Sequence, residues 1–163
     1  MDNKFHTVRG YELKNYDKKL LTSAMEDYME MIYRSVLDEG FTRINKLAQL
    51  LNVKDSSASK MTQKLSKLGL LNYEKYGIIT LTDKGFTIGK FLLNRHKIIE
   101  SFLFFLGCEE DVLTQTELIE HVINEKTVNN IEILNKFFQY NSDIKDKYIS
   151  FKESYDTINK KID

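Results

Sequence analysis

Residues 43–81 carry the pattern that most narrows the folds open to this chain. Apolar residues recur there at helical spacing and predict a short helix of about two turns: Ile44, Leu47, Leu50 and Leu51. The tight connection NVKD comes next, and a second helix with Met61, Leu65 and Leu68 turned inward is predicted to end at Gly69. Two short strands around a turn near Gly77 complete the stretch. This order of elements predicts a winged helix-turn-helix.

Helices are predicted on both sides of this unit. The run SAMEDYMEMIYRSVLDEG has a possible cap at Ser23 and a stop at Gly40, and its apolar stripe comprises Met25, Met29, Ile32 and Val36. Asp55 or Ser56 is expected to cap the second helix of the winged unit. Thr82 is expected to cap a long helix over 83–106, with Gly107 as its stop. Three further helices are predicted at roughly 110–124, 128–140 and 143–160.

The predicted fold class is mainly α, with an N-terminal winged helix-turn-helix, a small β-hairpin wing and a C-terminal all-helical domain. The predicted divisions are an extension at 1–22, partly helical near 16–21, a winged helix-turn-helix domain at 23–90 and a helical domain at 91–163. The chain has no proline, which suits a mostly helical fold. Five phenylalanines of the second half favour either a dimer interface or an internal core: Phe102, Phe104, Phe105, Phe137 and Phe138.

Composition sets outer limits on function. The formal net charge is zero, which excludes a uniformly basic nucleic-acid coat but not a local basic patch. The single cysteine, Cys108, cannot form an intramolecular disulfide, and we interpret it as a partly buried small hydrophobe. No run approaches the roughly 18 apolar residues of a membrane span, and the N-terminus does not resemble a signal peptide. A cytoplasmic protein is therefore expected.

The second helix of the winged unit carries a basic stripe formed by Lys60, Lys64 and Lys67. Short polar side chains near its N-terminal half could reach base edges while the lysines meet phosphates: Ser56, Ser57, Ser59, Thr62 and Gln63. Tyr73, Lys75 and Tyr76 belong to the hairpin, where a wing would touch the DNA backbone. A lysine stripe on an isolated helix is usually only a solvated face, but the neighbouring elements favour the DNA-binding interpretation.

Three short segments hold possible metal ligands. Asp27 and Glu30 lie three residues apart on the first helix, although Glu30 could simply pair with Arg34. His96 lies on an apolar stripe, where a hydrogen-bonded core histidine is the commoner case. Glu117, Glu120 and His121 share one helix face, which taken alone is an ordinary polar surface.

Taken together, these segments offer four carboxylates and two imidazoles but no thiolate. Oxygen-rich ligation with some nitrogen suits Mn²⁺ or Fe²⁺ better than a structural zinc ion. Four carboxylates without a cation would repel one another, so a divalent ion shared by several helices would act as a switch.

The sequence resembles the diphtheria toxin repressor family of metal-dependent regulators, and within it the manganese transport regulator branch. The resemblance covers about residues 22–140 and is carried by SAMEDYMEMIY, SSASKMTQKLSKLGLLNYEKYGIITLTDKG, GKFLLNRHKIIESFL and TELIEH. It implies a homodimeric repressor that binds double-stranded operator DNA, with no membrane and no small organic substrate as partner. By this resemblance, 23–90 is a DNA-binding domain and 91–163 is a C-terminal all-helical metal-binding and dimerisation domain.

The resemblance also implies a ligand set. The family's six ligand positions match Asp27, Glu30, His96, Glu117, Glu120 and His121. One ion would be held by Asp27, Glu117, Glu120 and His121, and a second by Glu30 and His96 with the two shared glutamates. Iron-responsive relatives carry Met at the position of Asp27 and Cys at that of Glu117. The carboxylates found here favour Mn²⁺, two ions for each protomer, over the alternative, Fe²⁺.

The chain departs from the family pattern at three places. The recognition helix opens with Asp55-Ser56-Ser57 where Pro-Ser-Ser is frequent, and the wing sequence YEKYGI lacks an arginine before its glycine. The chain ends at Asp163, before any additional SH3-like domain of the longer relatives, and its lead of about 23 residues is longer than in compact members.

Two other functions remain open from the sequence. A di-metal carboxylate enzyme would need paired Glu-x-x-His motifs on long helices, and the chain has none, so an enzyme is not expected. A metal-blind winged-helix regulator would leave the six residues as surface groups, and a metal titration would separate it from the metal-dependent repressor.

Overall fold

The computed structural model describes residues 21–108 and 110–159. The chain divides into two compact units, Met1–His96 and Lys97–Asp163, called unit 1 and unit 2 below. Most of the predicted N-terminal extension, including the helical segment near 16–20, lies outside the described residues.

Unit 1 contains the elements predicted for a winged helix-turn-helix, together with one additional strand. In chain order they are α1 (Ser23–Glu39), β1 (Thr42–Arg43), α2 (Ile44–Leu50), α3 (Asp55–Lys67), β2 (Leu71–Tyr73), a 3-10 turn (Lys75–Gly77) and β3 (Ile78–Leu81). The long helix α4 (Asp83–Leu106) begins in unit 1, and the division between the units falls within it, after His96. The predicted order of short helix, tight connection, second helix and hairpin is confirmed.

The three strands form one antiparallel sheet in the order β1-β3-β2. Thr42 pairs with Ile79, and Leu71 pairs with Leu81 at the other edge of β3. The hairpin predicted around Gly77 is therefore confirmed, whereas β1 was not predicted. Strand β1 leads directly into α2 and is hydrogen-bonded to β3 of the wing. The wing and the helix-turn-helix are therefore joined through backbone hydrogen bonds.

The predicted helix ends are partly right. Gly40 ends α1 in the left-handed region, with φ of +81°, and Gly107 follows α4 with φ of +84°. The expected cap at Ser23 is wrong, because Thr22 is the N-cap and its side chain accepts a hydrogen bond from the Met25 N–H at 3.3 Å. The expected cap of α3 at Asp55 or Ser56 is also wrong, since Lys54 precedes the helix and no side chain caps it.

The core of unit 1 is built from the apolar stripes predicted for its helices. Met29 and Ile32 of α1, Leu47 of α2 and Leu65 of α3 are completely buried, and Ile79 of the central strand joins them. Met61 and Leu68 are only partly buried and pack against this cluster. Burial of these side chains fixes α3 against α1 and leaves its opposite face in solvent.

Thr82 links the wing to α4. As predicted, its hydroxyl accepts a hydrogen bond from the Gly85 N–H at 3.0 Å, and it donates towards the Gly69 carbonyl at 2.8 Å. Gly85 packs closely against the backbone at Leu70, because a Cβ placed at Gly85 would come within 1.9 Å of the Leu70 carbonyl oxygen. The start of α4 therefore needs a residue without a side chain next to β2.

We expect Gly85→Ala to destabilise unit 1 by about 1–3 kcal/mol, because the added methyl group must push backbone rather than a flexible side chain. Urea unfolding of the metal-free protein would measure the loss. Lys90→Ala, at an exposed position of the same helix, is the matched control and should change stability little. Equal stability of the two variants would contradict the tight packing at Gly85.

Unit 2 is all helical where it is described. It contains the end of α4, then α5 (Val112–Glu120), α6 (Glu125–Tyr140) and α7 (Ser142–Asn159). The three predicted helices are thus confirmed with somewhat different bounds. Ile99, Leu103 and Val128 form the buried core, and the Phe105 ring stacks on those of Phe138 and Tyr148, with centroid distances of 4.4 and 4.9 Å.

The phenylalanines of unit 2 divide between its interior and its surface. Phe105 and Phe138 are partly buried within the aromatic stack, whereas Phe104 and Phe137 are exposed. Unit 2 also exposes apolar side chains on α5, just beyond it and on α6: Leu113, Leu118, Val122 and Ile133. Across 21–108 and 110–159, the helices lack any stretch of sufficient length and hydropathy to traverse a lipid bilayer.

Candidate metal centre and nucleic-acid interface

Helix α1 presents two of the predicted ligands on one face. Asp27 and Glu30 are three residues apart, so their side chains project from neighbouring positions along the helix. Asp27 is half-buried and Glu30 is buried, while Met29 and Ile32 turn into the core. Burial raises the pKa of the neighbouring Tyr28 above its ordinary value.

Helix α4 brings His96 next to Glu30. Both side chains are buried, and His96 Nδ1 lies 3.7 Å from Glu30 Oε1. Two donor atoms bound to one ion at about 2.1 Å lie roughly 3–4 Å apart, so this spacing suits a shared cation. The apolar stripe on which His96 was predicted to lie also contains Leu92, Ile99 and Leu103, and all four side chains are buried. His96 is therefore a buried histidine that faces a carboxylate.

Glu30 also pairs with Arg34, as considered from the sequence. Arg34 donates to Glu30 Oε1 from both Nε at 3.0 Å and Nη2 at 2.6 Å. The oxygen that faces His96 is thus the same oxygen that accepts the guanidinium.

A second ion pair in unit 1 joins the residues that precede two predicted ligands. Arg95 Nη2 donates to Glu26 Oε2 at 2.9 Å, and both side chains are at least nine-tenths buried. The pair connects α1 to α4 across 69 positions of sequence. Sequence reasoning missed it; the only available signal was two opposite charges on otherwise apolar helix faces.

Helix α5 and the residue after it bring together the remaining three predicted ligands. One ligand atom from each of Glu117, Glu120 and His121 lies within 4.8 Å of the others. Glu120 is almost completely buried, and His121 Nε2 lies 3.8 Å from Glu120 Oε1. His121 follows the last helical residue directly, where a helix C-terminus favours positive charge.

The donor chemistry of each unit fits a divalent cation. Unit 1 contributes an aspartate, a glutamate and a buried imidazole, and unit 2 contributes two glutamates and an imidazole, with no thiolate in either set. In unit 2, two carboxylates and an imidazole lie close enough together to bind one cation. Carboxylate and imidazole donors suit Mn²⁺ and Fe²⁺.

The second candidate surface is the exposed face of α3. Lys60, Lys64 and Lys67 all lie in solvent, as predicted. Ser56, Ser57 and Gln63 are exposed as well, and Ser59 is half-buried. Thr62 was predicted to share this face, which is wrong: it is completely buried within unit 1 and cannot reach a base. The exposed face still combines lysines with short polar groups, as contact with phosphates and base edges requires.

The wing carries a prominent aromatic side chain. Tyr76 is 91% exposed and adopts the left-handed region with φ of +68°, within the turn Lys75–Gly77. Tyr73 is half-buried at the end of β2. A tyrosine held outward on a tight turn offers a hydroxyl and a ring to a neighbouring surface.

Comparisons with known proteins agree with this division of roles. The family model for the iron dependent repressor N-terminal DNA binding domain matches residues 20–79. The model for the iron dependent repressor metal binding and dimerisation domain matches residues 82–148. The exposed face of α3 falls within the first match, and Glu117, Glu120 and His121 fall within the second.

Curated relatives and solved structures agree as well. The HTH-type transcriptional regulator MntR of Lysinibacillus sphaericus (strain C3-41) is 40% identical over 124 residues, 76% of this chain and 89% of the relative. The MntR of Bacillus subtilis (strain 168) is 40% identical over 121 residues, 74% of this chain and 85% of the relative. These names describe transcriptional regulators, which are not enzymes.

A solved structure of the manganese regulator SloR superposes with a TM-score of 0.60 at 28% identity, over 74% of this chain and 55% of that one. The chain spans about half the length of such solved structures. The two family matches and the length over which MntR is similar lead to one conclusion: the chain belongs to the iron dependent repressor family, with an N-terminal DNA-binding domain and a C-terminal metal-binding and dimerisation domain.

Proposed function

We propose that this chain is a manganese-responsive transcriptional repressor that binds double-stranded operator DNA as a homodimer and controls metal uptake. The observation that carries the proposal is the grouping of Glu117, Glu120 and His121 within 4.8 Å, in a unit that accompanies a winged helix-turn-helix. A repressor of this kind acts on chromosomal DNA, so we place it in the cytoplasm.

The proposed ligands come from both units. Asp27 would hold one ion together with Glu117, Glu120 and His121. Glu30 and His96 would hold a second ion, with Glu117 and Glu120 shared between the two. Of these, the approach of Glu30 to His96 at 3.7 Å and the cluster on α5 support the assignment. Two ions for each protomer is part of the proposal.

The mechanism follows from where the ligand side chains are attached. A bound divalent cation supplies positive charge on which carboxylates can converge. Asp27 and Glu30 belong to α1, which packs directly on the recognition helix α3 through the core of unit 1. Any constraint on these two carboxylates therefore restricts the position of α3.

A dimeric repressor must present two recognition helices at half-sites about 34–36 Å apart or a multiple of that distance. Without the cation, mutual repulsion of the carboxylates opposes the arrangement, and only a fraction of molecules is competent to bind DNA.

The choice of Mn²⁺ over Fe²⁺ rests on donor type. Asp27 and Glu117 supply hard carboxylate oxygens, whereas a softer sulfur donor would favour Fe²⁺ or other later transition metals. Fe²⁺ remains the competing effector, and parallel titrations with both ions would separate the two.

The homodimer is expected to form through unit 2. Its exposed apolar side chains, including Leu113, Leu118 and Val122, lie on or just after α5. Leaving them in solvent is unfavourable, and burial against a second copy would stabilise the assembly.

The proposal is tested by a gel shift of the chelator-treated full chain on its own upstream promoter DNA, with and without Mn²⁺ at fixed salt. We expect a shift that requires the metal. DNA binding that ignores metal would reject the proposal in favour of the metal-blind regulator.

The exposed lysines of α3 give a second test. We expect the double variant Lys60→Ala/Lys64→Ala to weaken Mn²⁺-dependent DNA binding at least about tenfold. Each lost phosphate contact lowers the number of counterions that the DNA releases on binding, and this release favours the complex. The slope of log affinity against log salt should fall by about two for each protomer. Lys145→Ala/Lys147→Ala removes the same charge from exposed positions of α7 and should bind like the wild type. A wild-type salt slope in the α3 variant would place DNA contact elsewhere.

A further inference from the structure

One carboxylate oxygen of Glu30 faces two cationic or ligating groups, the Arg34 guanidinium and the His96 imidazole. Its Oε1 accepts hydrogen bonds from Arg34 Nε at 3.0 Å and Arg34 Nη2 at 2.6 Å, and the same oxygen lies 3.7 Å from His96 Nδ1. All three residues belong to unit 1. The guanidinium thus occupies the carboxylate oxygen that a cation held by Glu30 and His96 would use.

The burial of the three side chains differs. Those of Glu30 and His96 are 9% and 5% exposed, whereas that of Arg34 is 40% exposed. Arg34 can therefore leave for solvent by rotating its side chain, while the carboxylate and imidazole stay in place. A buried carboxylate in the metal-free chain has its negative charge compensated by a partner that is able to move away.

From this geometry we infer that Arg34 competes with the divalent cation for Glu30 and thereby lowers the affinity of the Glu30–His96 position for Mn²⁺. The inference rests on the proposed function, because it requires an ion at Glu30 and His96. Arg34 touches no other predicted ligand in the described contacts and is a tuning residue rather than a ligand.

Two physical effects act in the same direction. The guanidinium carries a full positive charge that repels a divalent cation within a few ångströms, and partial burial limits screening by salt. Its two hydrogen bonds also withdraw electron density from Oε1, which makes that oxygen a poorer donor to a metal.

The opposite role is also physically reasonable and sets up the test. Partners that hydrogen-bond a ligating carboxylate often orient it, and their removal typically weakens metal binding. Competition and orientation therefore predict changes of opposite sign in metal affinity when Arg34 loses its charge.

The experiment is a calorimetric titration of the metal-free full chain with Mn²⁺ alone, at fixed pH and salt. We expect two binding steps in the wild type, and in Arg34→Gln we expect the weaker step to tighten by about tenfold or more. Arg34→Lys keeps the positive charge and should stay closer to the wild type. The matched control is Lys46→Gln, which removes one charge from the exposed ion pair of Lys46 with Glu39 in the same unit.

An unchanged or weaker second step in Arg34→Gln overturns the inference, as does an equal gain in Lys46→Gln. If Arg34→Gln fails to fold, Arg34→Met preserves the apolar stem and is judged by the same criterion. Failure of the proposed function has a different signature, since the wild-type chain would then bind no Mn²⁺ tightly. Melting curves with and without Mn²⁺ give an independent readout: the stabilisation by metal should be larger in the neutral variant.

Discussion

Glu117→Ala is expected to abolish Mn²⁺-dependent DNA binding while leaving the fold and the dimer intact. Glu117 is exposed on α5, so its truncation leaves no cavity and should cost little stability. Its ligand atom nevertheless lies within 4.8 Å of those of Glu120 and His121, and it is one of the two carboxylates proposed to serve both ions. Removing a residue that only hydrogen-bonds to a metal ligand typically lowers metal affinity about 10–100-fold. Removing a ligand shared by two ions should lower it further.

Two measurements check this expectation. Calorimetric titration gives the Mn²⁺ affinity, and a gel shift at a fixed Mn²⁺ concentration gives the DNA binding that depends on it. Glu110→Ala removes an exposed carboxylate from the same unit outside the cluster and is the matched control. Manganese-stimulated DNA binding that persists in Glu117→Ala at the wild-type level would reject the shared-ligand assignment.

Glu26→Ala is expected to lower the free energy of unfolding of the metal-free protein by about 3–5 kcal/mol. The substitution removes a carboxylate 2.9 Å from the Arg95 guanidinium, in a position where both side chains are at least nine-tenths buried. Separating a buried cation from its carboxylate is far more costly than breaking an ion pair in solvent. The loss should be smaller in Glu26→Gln, which retains an oxygen acceptor of similar shape.

Chemical unfolding of the chelator-treated chain, followed by circular dichroism, measures this loss. Glu39→Ala provides the contrast, because it breaks the exposed pair with Lys46 and should cost less than about 1 kcal/mol. If Glu26→Ala proves as stable as Glu39→Ala, the Glu26–Arg95 pair does not hold α1 against α4. DNA binding by Glu26→Ala at saturating Mn²⁺ would show whether the proposed ligands can still bind the metal once that pair is gone.

Much of unit 1 could be predicted from the sequence because its signals are local. The apolar spacing that placed Met29 and Ile32 in the core is a property of one helix, and the Thr82 cap and the Gly40 stop depend on a few adjacent residues. Strand β1 was missed because two residues, Thr42 and Arg43, are too short to show alternation. It exists through pairing with β3, far away in sequence.

The candidate site shows the same limit more sharply. The pairing of Glu30 with Arg34 could be predicted because helical geometry joins residues four apart. The pairing of Glu26 with Arg95 could not, because it depends on how α1 packs against α4. Thr62 was misplaced for a related reason: on a short amphipathic helix, one position separates a threonine facing DNA from one facing the core. The six ligand assignments themselves remain a prediction.

Helix α1 combines two kinds of side chain that respond to solvent on different timescales. Met29 and Ile32 are locked in the core of unit 1, so the backbone of α1 unwinds only when that core opens, and its amide hydrogens should be among the slowest to exchange with water. Under the proposed function, release of the cation would require only rotation about side-chain bonds at Asp27 and Glu30, which is far faster than opening a core. The chain would then follow a falling cation supply without first unfolding α1.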